Sequence, residues 1–149
     1  GLDNVRRLPY QPREMLRYSL AAGHASLVTL IDGLAGLSVP SKTYAILAAG
    51  RPILFVGDTK SSIARIVQEN ACGAVVSSGD SAALARIIED WASDKDKLAR
   101  LNGRAREAFE KYFTRSRAIN SYLETFSKCM ENSHSLTDPA VSKLEETPS

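Results

Sequence analysis

The sequence predicts an α/β fold built on a parallel sheet, and three observations carry that expectation. Residues 25–56 read as strand, polar loop, helix and strand in succession. The segments after them carry helical periodicity again and again, as expected when helices cover a sheet. The chain has 149 residues, 44% of them hydrophobic, which is one domain's worth of core, in the range where roughly 70% of the unfolded surface is buried on folding.

Taken in order, Arg13 to Ala22 has the apolar spacing of an amphipathic helix. Ala25 to Leu30 is a short apolar run of buried-strand type, with His24 in the turn before it. After a loop, either Ser38 or Ser41 can cap a helix whose first turn holds Pro40 and Lys42. That helix stops at Gly50, because glycine tolerates a left-handed cap and Pro52 forbids continuation. Ile53 to Val56 follows as a second apolar strand. Ser61 to Glu69 and Ser81 to Ala92 read as helices, the latter with Leu84, Ile87, Ile88 and Trp91 on one face that packs on the sheet. Leu98 to Tyr112 and Arg115 to Lys128 continue as helices, with Leu101, Ala105, Phe109, Phe113, Ile119, Tyr122 and Phe126 near helical spacing. Residues 1–131 form the folded part. From Asn132 onward, Ser, Thr, Pro and charged residues dominate, so 132–149 reads as a disordered tail.

Composition narrows the function. A formal net charge of +2 argues for no polyanionic partner, and the basic residues are spread out, so nucleic-acid binding is not indicated. Arg6, Arg7, Arg13 and Arg17 near the start are either a solvated surface or a contact to an anionic membrane. No stretch of about 20 apolar residues and no signal peptide is present, so the expected location is cytoplasmic, with peripheral attachment at the inner face of the plasma membrane as the variant. Cys72 and Cys129 lack metal-type spacing and, with only His24 and His134, make no plausible zinc set; no metal is expected.

The loop between Leu30 and the helix starting near Ser41 is the candidate site. It lies at the carboxyl end of a strand, where open parallel sheets bind ligands, and the helix start offers unpaired N–H groups to an anion. Lys42 in the first helical turn opposes the helix dipole unless an anion joins it. Two readings stay open: a phosphate-facing turn, or an ordinary connection whose lysine faces water.

Three segments resemble the C-terminal, donor-binding half of GT-B glycosyltransferases of the GT4 type, in the branch serving bacterial capsule, O-antigen and colanic-acid synthesis. They are Asn4 to Leu16, which holds Leu8-Pro9-Tyr10-Gln11-Pro12, then Pro40-Ser41-Lys42-Thr43-Tyr44 through Pro52, and Gly73-Ala74-Val75-Val76 through Ala85. Their order and spacing over residues 4–125 make the resemblance stronger than any one segment. It implies a partial Rossmann-like, doubly wound parallel sheet with the first two βα units missing and a helical C-terminus. In the strand order 3-2-1-4-5-6, Val5 to Tyr10 would be the third strand and Ala25 to Leu30 the fourth, leaving a gap in the sheet. An unpaired edge, or the apolar stripe of the last helix, would then invite self-association or a completing partner chain.

The resemblance further implies retaining transfer of sugar from a nucleotide-diphosphate sugar to a glycan or lipid-linked acceptor, without metal, the acceptor being held by an N-terminal domain. A UDP-sugar is favoured over a GDP-sugar, and no other cofactor is expected. Carried over residue by residue, the backbone N–H groups of Ser38, Val39, Ser41 and Lys42 would meet the diphosphate. Asp32, Gly33, Gly36 and Leu37 would lie near sugar or nucleotide, Asp32 and Gly33 alternatively being a solvated loop. Tyr44 either stacks on the ligand or packs in the core. Two glutamates that many members use on the donor fall on Leu37 and Ala45, so both acids are absent. A hydrogen bond to a charged group contributes roughly 1.5–3 kcal/mol, so losing the ribose contact would weaken the donor by about one to two powers of ten. Catalytic residues stay unassigned. The competing readings are a non-catalytic remnant or interaction subunit with the same fold, and another doubly wound domain such as an epimerase half or a receiver, for which only Asp32 and Asp58 are candidate acids.

Overall fold

The computed structural model describes residues 3–31, 33 and 41–134. The chain divides into two compact units, Gly1–Tyr112 and Phe113–Ser149.

In the first unit, a 3-10 turn at Arg13–Met15 leads into α1 (Leu16–Ala22), followed by β1 (Ser26–Thr29), α2 (Lys42–Ala48), β2 (Ile53–Val56), α3 (Ser62–Glu69), β3 (Gly73–Val76), α4 (Ser81–Ser93) and α5 (Lys95–Tyr112). The strands form one parallel sheet in the order β1-β2-β3. Ser26 pairs with Ile53 and Thr29 with Val56, while Ile53 pairs with Gly73 and Val56 with Val76. Parallel neighbours need a crossover, and α2 and α3 supply the two crossovers. The α/β class with a parallel sheet is therefore as the sequence leads one to expect.

The central strand is buried on both sides: Ile53, Leu54 and Phe55 are almost wholly shielded from solvent. Pleating sends Leu54 to one face, where with Val76 and Trp91 it forms a core joined by Leu84, Ile87, Leu98 and Leu101 from α4 and α5. On the other side Ile46, Leu47, Ile63 and Val67 of α2 and α3 are buried, and these helices contact β2 and β3. Burial contributes about 1.5–3 kcal/mol for each such side chain.

In the first unit three helix starts follow the side-chain rule. Ser61 Oγ accepts from the Ala64 N–H at 3.2 Å, Asp80 Oδ1 from Ala83 at 2.9 Å and Asp94 Oδ1 from Lys97 at 2.8 Å. The Asp94 cap starts α5 at Lys95 rather than near Leu98. Ser41 differs. It stands at the N-cap of α2 with helical dihedrals (φ −57°, ψ −24°) and makes no side-chain cap bond, because an N-cap hydroxyl reaches the N–H groups only from extended backbone.

Two helices end in the same motif. At α2, the Gly50 N–H donates to Leu47 O at 2.9 Å and Arg51 to Ile46 O at 3.2 Å. At α3, Ala71 donates to Gln68 O and Cys72 to Val67 O, both at 3.1 Å. This is the Schellman arrangement, whose C′ residue is left-handed: Gly50 has φ +63° and Ala71 φ +45°. Arginines reinforce two carbonyl ends, Arg106 Nη1 donating to Ala48 O at the end of α2 and Arg51 Nη2 to Ala21 O at the end of α1, each at 2.6 Å.

Two expectations are corrected. Val5 to Tyr10 is not a strand: it pairs with no strand among the described residues, and Val5, Leu8 and Tyr10 are exposed. Pro9 removes a ladder donor there. The segment Arg13 to Ala22 is helical, but its first turn is 3-10 and it buries no residue completely.

The second unit contains α6 (Arg115–His134). It runs past Lys128 and through the first residues that the composition assigns to the tail. Ile119, Tyr122, Phe126 and Met130 recur along it and are exposed.

Ala71→Gly should stabilise the first unit by about 0.5–1 kcal/mol, since glycine relieves the left-handed cost but adds unfolded-state entropy. Gly50→Val should cost more than about 1 kcal/mol. Urea denaturation of the two variants reads both, and an unchanged Ala71→Gly midpoint would contradict the strain assigned to Ala71.

Candidate functional site

Because the three strands are parallel, their carboxyl ends emerge on one edge of the sheet. The segment after β1 leaves that edge from Leu30 and reaches α2, β2 continues into Gly57 to Lys60, and β3 into Ser77 to Asp80. The ladder is extended by one bond at each strand end: Leu30 N–H to Val56 O at 3.1 Å and Gly57 N–H to Val76 O at 3.0 Å. The second turn is self-bonded, Asp58 Oδ1 accepting from Lys60 N–H at 2.8 Å and Asp58 O from Ser61 N–H at 3.0 Å. The third is bonded likewise, from Asp80 N–H to Ser77 O at 3.2 Å.

Of the residues expected to face a ligand, Ser41 and Lys42 are exposed at the start of α2. Tyr44 is half-buried one position further on from Thr43. Gly33 is exposed with φ +89°, a left-handed turn that glycine makes without cost. Asp32, Gly36, Leu37, Ser38 and Val39 lie outside the described residues. Ala45 is half-buried on α2. Between these positions, Thr43 is fully buried and its Oγ1 has no hydrogen-bond partner. Among the described residues no group of three or more His, Cys, Asp and Glu is placed to hold a metal ion, and no helix is long and apolar enough to cross a membrane.

Sequence reasoning missed an apolar pocket of about 390 Å³ lined by Ala25, Leu54, Ile88, Trp91 and Leu98, with His24 and Lys95 at its polar margin. Four apolar positions on α4 predict a face wholly packed on the sheet, yet Ile88 is 52% exposed and lines this pocket. The signal in the sequence was the width of that face. Leu27 on β1 is also exposed, at 59%, and β1 pairs only with β2 among the described residues.

Cys72 is buried beside Ile66 O and Val67 O, and burial pushes its thiol up to about 11 from 9.0, against the lowering effect of its backbone hydrogen bonding. Cys129 is exposed.

No family model matches the chain, and no solved structure matches it. It is similar to a protein described as probable glycosyltransferase WbjE from Pseudomonas aeruginosa, with 37% identity over 131 residues that cover 86% of this chain and 31% of the relative. The chain thus spans 31% of the length of the curated relative it matches.

In the native protein a thiol reagent should modify Cys129 rapidly and Cys72 only after unfolding, as peptide mapping would show. Cys72 also predicts a pH dependence. The folded protein holds this proton to about pH 11 and the unfolded chain only to 9.0, so its contribution is complete below pH 9.0 and is lost as the pH climbs through about 11. Comparing wild type with Cys72→Ser in urea denaturation across that window isolates the effect.

Proposed function

We propose that this chain is the donor-binding portion of a glycosyltransferase, one that moves a sugar from a nucleotide-diphosphate sugar to a glycan or lipid-linked acceptor in cell-surface polysaccharide synthesis. The observation that carries this reading is the 37% identity to a relative named as a probable glycosyltransferase. The three segments that resemble the GT4-type donor domain point the same way, and the parallel sheet supplies a carboxyl edge of the kind at which such ligands bind.

In this reading the turn from Ser38 to Lys42 meets the diphosphate. Its backbone N–H groups donate at Ser38, Val39, Ser41 and Lys42, and the exposed Lys42 ammonium offsets phosphate charge. That Ser41 spends no hydroxyl lone pair on a helix cap leaves its Oγ for a ligand. Asp32, Gly33, Gly36 and Leu37 are assigned to sugar or nucleotide, and the half-buried Tyr44 to the same ligand. A UDP-sugar is preferred to a GDP-sugar. Transfer is retaining and metal-independent, and the acceptor is held by an N-terminal domain. The enzyme works in the cytoplasm, and this chain alone does not turn over substrate.

One observation favours a second reading, a non-catalytic remnant or interaction subunit with the same fold. Leu37 and Ala45 stand where the family's donor-handling glutamates would be, and Ala45 offers no group to a ribose hydroxyl.

Calorimetric titration with UDP, GDP and their sugar conjugates separates the two readings. Donor binding that falls roughly tenfold or more in Lys42→Ala and in Ser41→Pro, with folding intact, supports the donor site. Binding only by a version extended to the relative's full length still supports a donor-binding portion, whereas no binding by either folded protein supports the second reading.

A further inference from the structure

We infer that residues 4–18 form a docking surface for an anionic phospholipid bilayer. Every residue from 3 to 19 is exposed. Among them Val5, Leu8, Tyr10, Met15, Leu16 and Tyr18 are large and apolar, with Tyr10 exposed to 94% and Leu8 to 68%. So many exposed apolar side chains in so short a stretch mark an interaction surface. Arg6, Arg7, Arg13 and Arg17 are interleaved with them, and the acids of the stretch are Asp3 and Glu14. None of Arg6, Arg7 and Arg13 is in an ion pair among the described residues. Arg17 donates to the neighbouring Tyr18 hydroxyl at 2.7 Å.

Charge and layering select the partner. An anionic bilayer presents phosphates above hydrocarbon, so a surface that fits it offers cations and apolar groups within one side chain's reach of each other. Each of these arginines meets that condition in the sequence. Arg6 and Arg7 stand between Val5 and Leu8, Arg13 stands shortly before Met15, and Arg17 stands between Leu16 and Tyr18. Guanidinium groups bind phosphate oxygens two at a time, and tyrosine rings suit the headgroup level. The Arg17 guanidinium lies over the Tyr18 ring, 4.6 Å from its centroid, which holds a cation and an aromatic together. A nucleic acid would use the arginines and leave Val5, Leu8, Met15 and Leu16 in water, so the apolar half of the surface favours lipid.

The surface can be altered without touching the core. No side chain from 3 to 19 is buried, whereas the central strand buries Ile53, Leu54 and Phe55. Arg86 on α4 and Arg100 on α5 are exposed as well, and they allow the same change of charge elsewhere on the first unit.

The test is co-sedimentation of the full chain with vesicles of phosphatidylcholine alone and of phosphatidylcholine mixed with phosphatidylglycerol. Wild type should bind the mixed vesicles and lose most of that binding at about 1 M salt, where the Debye length is about 3 Å. Arg6→Gln with Arg7→Gln should lower the affinity roughly twentyfold, about fivefold per arginine. Leu8→Ser with Tyr10→Ser should lower it roughly tenfold. Arg86→Gln with Arg100→Gln should stay within about twofold of wild type, because the surface potential fades within a Debye length. All three variants should keep the wild-type thermal midpoint. The inference is overturned by wild type that ignores the mixed vesicles or binds the neutral ones as tightly, by unchanged binding in either variant of the stretch, or by an equal loss in the Arg86 and Arg100 control. Retention of duplex DNA without vesicle binding would also overturn it, and would make the stretch a nucleic-acid contact.

Discussion

Residues 3–112 depend on one constraint, the parallel ladder that β2 shares with β1 and β3. Its central strand buries Ile53, Leu54 and Phe55, so each face must be covered, and α2 with α3 and α4 with α5 do so. The same ladder brings all three carboxyl ends to one edge. A slip of one residue would turn Leu54 and Phe55 to the wrong faces, and Gly73 beneath the Ile53 carbonyl admits no side chain that would force one. Core and candidate site therefore share a single register.

Most of this order is legible in the sequence because it is local. Ile53 to Val56 needs no tertiary information to be read as a strand, and Gly50 ahead of Pro52 announces the helix end. The Schellman cap at Ala71 was less visible, since nothing in an alanine signals a left-handed backbone. Its φ of +45° is imposed by the Cys72 and Ala71 bonds back to Val67 and Gln68. Ser41 shows the opposite failure. A serine before a helix suggests a cap, but the backbone there is already helical and the hydroxyl cannot turn inward.

Long-range pairing was read less well. Val5 to Tyr10, which the resemblance makes a strand, lies in none, because a strand exists only with a neighbour to bond and Pro9 weakens this one. The pocket beside Leu54 and Trp91 arises from the same non-local cause: the apolar width of α4 is visible in sequence, whereas the extent to which α4 and α5 cover it is not. For the candidate site, the order of elements put its expected place at the strand ends, and Ser41 and Lys42 are exposed at the start of α2.

The donor reading joins a relative's name to a place in the fold, so its central claim is spatial. Nitrogen–proton correlation spectra of the chain titrated with UDP test it most directly. The account predicts saturable shifts confined to the carboxyl edge, at Ile31 to Tyr44 and Gly57 to Ser61, with Ile88, Trp91 and Leu98 around the apolar pocket unmoved. Shifts centred on that pocket, or none at saturating nucleotide, would contradict it.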